Sequence, residues 1–106
     1  MAIEINFTYQ GKKYTLGFSR STIRQMEGTG FNINQIQNFP ETYIPRLFAG
    51  SFLLHHRGVK QDEINTMFKK FTRKDELIDK LSKAYMEALD TLMDDPAEDD
   101  PNAIQW

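Results

Sequence analysis

The stretch that most constrains the fold is residues 3–18, IEINFTYQGKKYTLGF. Ile3, Ile5, Phe7 and Tyr9 alternate with Glu4, Asn6 and Thr8; Tyr14, Leu16 and Phe18 then alternate with Lys13, Thr15 and Gly17. A period of two is the signature of a strand with one covered face. Gln10, Gly11 and Lys12 between the two runs make a short turn, so the segment predicts a β-hairpin with one aromatic-rich face. An isolated hairpin is marginal in water, and its apolar face must therefore pack on something. The rest of the chain offers helices for that purpose. The expected fold class is α+β: an N-terminal hairpin, three or four α-helices with a long last one, and a disordered acidic tail. Residues 1–93 form a single globular domain in this reading, hairpin over 1–18 and helical over 19–93, with 94–106 as a flexible acidic tail.

The first helix follows a Ser or Thr cap within Ser19–Thr22, carries Ile23 and Met26, and stops at Gly28-Thr29-Gly30. FNINQIQNFP is a short helix or turn ending before Pro40. A second helix from near Glu41 runs through Ile44, Leu47, Phe48, Phe52, Leu53 and Leu54. Its apolar side chains cover most of the circumference, which places it at the centre of the domain or in an oligomer interface. Pro45 is tolerable there only in the first turn, and Gly50 offers a point of close approach. Gly58 reads as a left-handed cap closing this helix, with His55, His56 and Arg57 in the last turn. The third helix is KQDEINTMFKKF, with Ile64, Met67, Phe68 and Phe71 on one stripe. The fourth starts near Thr72, with Asp75 completing a capping box. It carries Leu77, Ile78, Leu81, Tyr85, Ala88, Leu89 and Leu92 on one face, with i,i+4 pairs Glu76–Lys80 and Asp79–Lys83.

Composition narrows the chemistry. With no cysteine, disulfides and thiolate metal sites are absent from the sequence. No apolar run approaches the ~20 residues of a membrane span, and the alternating N-terminus is unlike a signal peptide, so the expected location is the cytosol and the membrane is not a partner. The net charge of −2 conceals an asymmetry: Asp94, Asp95, Glu98, Asp99 and Asp100 sit in a tail without a base, leaving the body mildly basic.

His55 and His56 invite a metal or acid–base role. Adjacent helical residues point about 100° apart, and helical metal pairs sit four apart, so the two rings do not converge on one ion. The expected role is packing and capping. Gly28 and Gly30 follow a helix instead of a strand, which is the wrong context for a phosphate loop. No pair of carboxylates stands in the unlike environments that hydrolysis needs. No catalytic residue, metal ligand or cofactor is expected, and the chain is read as no enzyme. Arg57, Lys60, Lys69, Lys70, Arg73 and Lys74 cluster around the third helix, but the mild pI of about 5.6 favours a solvated face over a nucleic-acid site. Trp106, behind Ile104 on an acidic spacer, is a candidate docking anchor in cis or to a partner.

Taken in order, Phe18-Ser19-Arg20, Ile23, Met26-Glu27, Gly30-Phe31, Phe39-Pro40, Leu47-Phe48, Gly50, Phe52 and His55-His56, then a long helix with Tyr85 and an acidic tail ending in Trp106, resemble small proteins of phage and prophage tail modules in Gram-positive bacteria. These siphophage proteins lie near the tape-measure gene and are regarded as tail assembly chaperones. The resemblance implies a non-enzymatic protein-binding chaperone in the host cytoplasm, whose partner is the phage tape-measure protein or another tail protein, with self-association into a homo-oligomer left open. The partner surface expected on this reading comprises Phe48, Phe52, His55, His56, Met67, Phe68, Phe71 and Trp106. The alternatives are a minor structural or connector component of the tail and a small nucleic-acid-binding regulator.

Overall fold

The computed structural model describes residues 3–106. Strands β1 (Ile5–Tyr9) and β2 (Lys12–Leu16) pair antiparallel in the register Ile5↔Leu16, Phe7↔Tyr14 and Tyr9↔Lys12. Gln10 and Gly11 join them at φ 50° and 78°. Two successive positive φ values are what a two-residue type I′ turn requires to match the twist of the strands. The register puts Ile5, Phe7, Tyr14 and Leu16 on one face. On the other face Thr15 donates its hydroxyl to Asn6 Oδ1 at 2.7 Å.

Four α-helices follow: α1 (Arg20–Gly28), α2 (Pro40–Gly50), α3 (Gln61–Lys70) and α4 (Lys74–Asp90). The architecture is therefore the expected α+β arrangement. Short 3-10 turns lie at Ile33–Gln35 and Thr91–Met93.

Helix α1 opens on Ser19, whose hydroxyl accepts from the Thr22 amide while its own amide donates to Thr22 Oγ1 at 2.9 Å. It closes in a Schellman motif: the Gly30 amide donates to the Glu27 carbonyl and the Phe31 amide to the Met26 carbonyl, with Gly30 at φ 91°. The motif turns Phe31 back into the core beside Met26, the apolar contact that usually accompanies it.

Helix α2 is central, touching α1, α3 and α4. A Cβ on Gly50 would collide with the Met26 side chain, so Met26 of α1 packs directly on the α2 backbone there. Pro40 occupies the first helical position, where its missing N–H costs nothing. Pro45 consequently falls in the second turn, not the first as expected. The Glu41 carbonyl loses its i+4 donor, and because both residues are exposed, water can serve it.

The end of α2 also differs from the sequence reading. The helix stops at Gly50, and the chain tightens into turns through His55, with the Phe52 amide on the Ala49 carbonyl and the Leu53 amide on the Gly50 carbonyl. Gly58 is not in the left-handed region and caps nothing. The reason is tertiary. Residues 51–56 are drawn along the outer edge of β2, where the Gly17 amide donates to the Ser51 carbonyl at 3.1 Å and the Thr15 amide donates to the His56 ring at 3.0 Å.

Between α3 and α4 the chain reverses in three residues, Phe71–Arg73, with Arg73 at φ 50°. The predicted capping box of Thr72 with Asp75 is not formed, since Thr72 lies two residues before the helix and the cap position carries no side-chain bond. The Lys74 ammonium instead donates to the Lys69 and Phe71 carbonyls at 3.2 and 2.7 Å, satisfying the C-terminus of α3. Asp79 and Lys83 pair as expected at 2.9 Å, whereas Glu76 pairs with Arg73 at 3.4 Å and not with Lys80.

Two aromatic groups organise the core. The first is a closed ring: Phe7–Tyr14 at 5.1 Å between ring centres, Tyr14–Phe52 at 6.1 Å, Phe52–Phe48 at 5.2 Å, Phe48–Phe71 at 5.7 Å and Phe71–Phe7 at 4.9 Å. It bolts the hairpin onto α2 and α3, and edge-to-face pairs of this kind contribute about 0.5–1.5 kcal/mol each beyond area burial. The second group centres on Tyr85 of α4, packed on Phe18 and Phe31. Burial, with the Glu27 carboxylate adding to it, pushes the Tyr85 phenol up to about 12. Residues 94–106 carry two isolated turns and no buried side chain.

Candidate protein-binding groove and the histidine pair

The residues expected to face a partner divide into three sets. Phe48, Phe52 and Met67 are each 1% exposed. They hold the fold together and offer no surface, a correction to the sequence reading. The sequence shows their helical spacing but not that the hairpin would close the aromatic ring over them. Phe68 and Phe71 are half-buried: Phe71 seals the ring against Phe7, while Phe68 packs one side on Phe48 at 5.1 Å. His55 and Trp106 are exposed, and His56 is half-buried with its ring centre 6.4 Å from that of Phe52.

The two histidines do separate work. His56 packs its ring on Tyr14 at 5.1 Å and accepts the Thr15 amide at Nε2. An amide donates only to an unprotonated nitrogen, so the bond selects the neutral ring with its proton on Nδ1. Burial pushes His56 below its ordinary value of 6.5, and the charges of His55 and Lys12 act in the same direction. His55 points the other way, its Nε2 lying 3.5 Å from Glu4 Oε2. Neither ring caps the carbonyls of α2, contrary to expectation. His56 closes a sheet edge instead, and His55 ties the turn to the residue preceding β1. Among the described residues no group of three His, Asp or Glu side chains is arranged to hold a metal ion.

The surface that can take a partner lies on the opposite pattern of residues. Pro40, Ile44 and Pro45 from α2, Phe68 from α3 and Ile78 from α4 line an open groove of about 660 Å³. Helical geometry makes it: residues four apart on α2, Pro40 with Ile44 and Glu41 with Pro45, lie one above the other, and Ile78 sits one turn beyond Lys74 on α4. Glu41, Lys74 and Asp75 lie along its margins. Two prolines fix φ on the α2 side, and the Lys74 ammonium holds the Phe71 carbonyl in the α3–α4 turn. Of the expected residues only Phe68 belongs to it. Pro40, Ile44, Pro45 and Ile78 were hidden among apolar residues that looked like core. The available signal was the apolar character of α2 all the way round, more than one neighbouring layer can cover.

The basic cluster is partly spent within the fold. Arg73 pairs with Glu76, Lys74 serves backbone carbonyls and Arg57 donates to Gln25 Oε1 at 3.1 Å.

Hairpin, central helix and groove thus define a small α+β domain with an open apolar recess. The chain belongs to the DUF5055 family, a domain of unknown function, whose family model matches residues 1–106. No curated protein and no solved structure matches it. No helix among the described residues is long and apolar enough to cross a membrane.

Proposed function

We propose that this chain is a non-enzymatic, protein-binding chaperone of phage tail assembly that holds an apolar segment of the tape-measure protein until the tail tube encloses it. The observation that carries this reading is the groove of Pro40, Ile44, Pro45, Phe68 and Ile78, apolar and open. A tape-measure protein is a long helical chain with apolar stripes, prone to aggregate while uncovered. An amphipathic helix laid in an apolar groove with charged margins is a recurrent mode of peptide recognition, and a preformed groove spares the ordering cost of building one. The charged margins carry both signs, which suits a partner helix with mixed charges along its polar face. Phe68 contributes the floor, with the stem of Lys74 beside it, the ammonium 5.8 Å from the ring centre.

Co-expression with the tape-measure protein of the same tail module tests this. The wild-type chain is expected to keep the tape-measure protein soluble and to copurify with it, and Ile44→Asp to lose both while retaining its helical circular dichroism. A tape-measure protein that stays insoluble beside the wild-type chain, with no complex recovered, defeats the reading.

A further inference from the structure

A second recess lies between α1, α2 and the turn leading into α3, a cavity of about 420 Å³. Ala49, Leu53 and Val59, all half-buried, supply its apolar lining, and Arg46 and Arg57 stand beside them. Both guanidinium groups are held by neutral partners. Arg46 Nη2 donates to the Thr29 carbonyl at 2.9 Å and to its hydroxyl at 2.8 Å, with the guanidinium 5.8 Å from the Phe31 ring centre. Arg57 donates to the Gln25 side chain. Among the described residues neither has a carboxylate within salt-bridge distance. A guanidinium carries five N–H donors, so each keeps donors for an incoming carboxylate. The volume falls within the ~300–1,000 Å³ common to ligand pockets. The cavity therefore fits a ligand with an apolar body and an acidic flank.

One segment of this chain has that chemistry. Residues 94–106 hold five acids and no base, followed by Ile104 and Trp106, which are 87% and 113% exposed and cover nothing. The segment is also within reach. Asp94 lines a recess together with Arg20, so the tail leaves the body at the N-terminal end of α1. Gln25, farther along that same helix, lines the cavity, only ~8 Å along the axis from Arg20 at 1.5 Å per residue. Ten extended residues from Asp94 to Ile104 span up to ~33 Å. We propose that the cavity between α1, α2 and α3 receives the chain's own segment 94–106, with Ile104 and Trp106 against the apolar lining and the tail carboxylates on Arg46 and Arg57. In the present structure the segment stands undocked.

The full chain supplies its own probe, because Trp106 is the single tryptophan. At low salt its emission is expected to be shifted to the blue of N-acetyltryptophanamide, with acrylamide quenching reduced several-fold. Salt near 1 M, where the screening length is ~3 Å, is expected to weaken both effects. Replacing the five tail acids by their amides is expected to abolish them, and this variant carries no folding risk since those side chains are not buried. Arg57→Gln, alone and with Arg46→Gln, is expected to reduce them as well. Wild-type emission and quenching equal to those of the free fluorophore at low salt would overturn the proposal. So would a blue shift indifferent to Arg57→Gln and Arg46→Gln, which would place the tail elsewhere. A shift that vanishes on dilution would assign the site to the tail of a second copy and overturn docking within one chain.

Discussion

Helix α2 has two apolar faces with opposite fates. One face, Leu47 and Phe48 continuing into Phe52, is sealed beneath the hairpin, α3 and α4, with no residue more than 1% exposed. The other, Ile44 and Pro45, borders the open groove; Ile44 is half-buried yet outside the packed core. Both faces are equally greasy in the sequence. What separates them is supply: the hairpin brings Phe7 and Tyr14 to close the first face, and among the described residues no element crosses the second. An apolar helix surface is thus evidence that something must cover it, and the fold decides how much of the cover is internal.

The comparison can be broken most directly at Phe48. Phe48→Ala opens a void in the aromatic ring and is expected to lower stability by about 3–5 kcal/mol in urea denaturation. A loss below ~1 kcal/mol would mean that the sealed face is no more essential than the open one. His56→Ala removes the acceptor of the Thr15 amide along with packing on Tyr14 and Phe52, and a loss of about 1–3 kcal/mol is expected. The same residue sets a pH dependence. Its folded-state value lies below the ordinary 6.5, so the unfolded chain takes up the proton first. The contribution is therefore complete above pH 6.5 and lost as the pH falls further. His56→Gln keeps an acceptor without titrating, and denaturation curves recorded between pH 7 and 5 should lose that part of their slope. On the open face, Ile44→Asn should cost about 0.5 kcal/mol or less in the same assay, while abolishing the proposed binding of the tape-measure protein. Smallest of all, Asp79→Ala on the solvent side of α4 should cost about 0.3 kcal/mol and leave binding untouched.

The hairpin and both ends of α1 were legible because the signals are local: alternation on both sides of Gln10-Gly11, a serine cap, a glycine stop; Lys12, expected in the turn, instead opens β2 and pairs with Tyr9, which sets the register. The long amphipathic α4 was legible for the same reason. The misread ends share one cause. Gly58 and Thr72 offered the right residue types for caps, but residues 51–56 were drawn to a strand edge and Lys74 took over the end of α3. The bond between Thr15 and His56 joins positions 41 apart, and no local pattern announces it. The groove was only partly visible for a related reason. Phe68 was named from its aromatic character, whereas Ile44 and Ile78 look like core until the path of every neighbouring helix is known.

The closed outer edge of β2 has a consequence for self-association. A two-stranded sheet ordinarily offers two borders, and strands can add to both without end. Here His56 and Ser51 occupy one border, while the Asn6 and Thr8 amides on the outer side of β1 have no backbone partner among the described residues. Any further strand can join on that side alone. Two copies meeting antiparallel through β1 would exhaust both vacant borders at once, so growth by strand addition terminates at a pair and cannot propagate into a fibre.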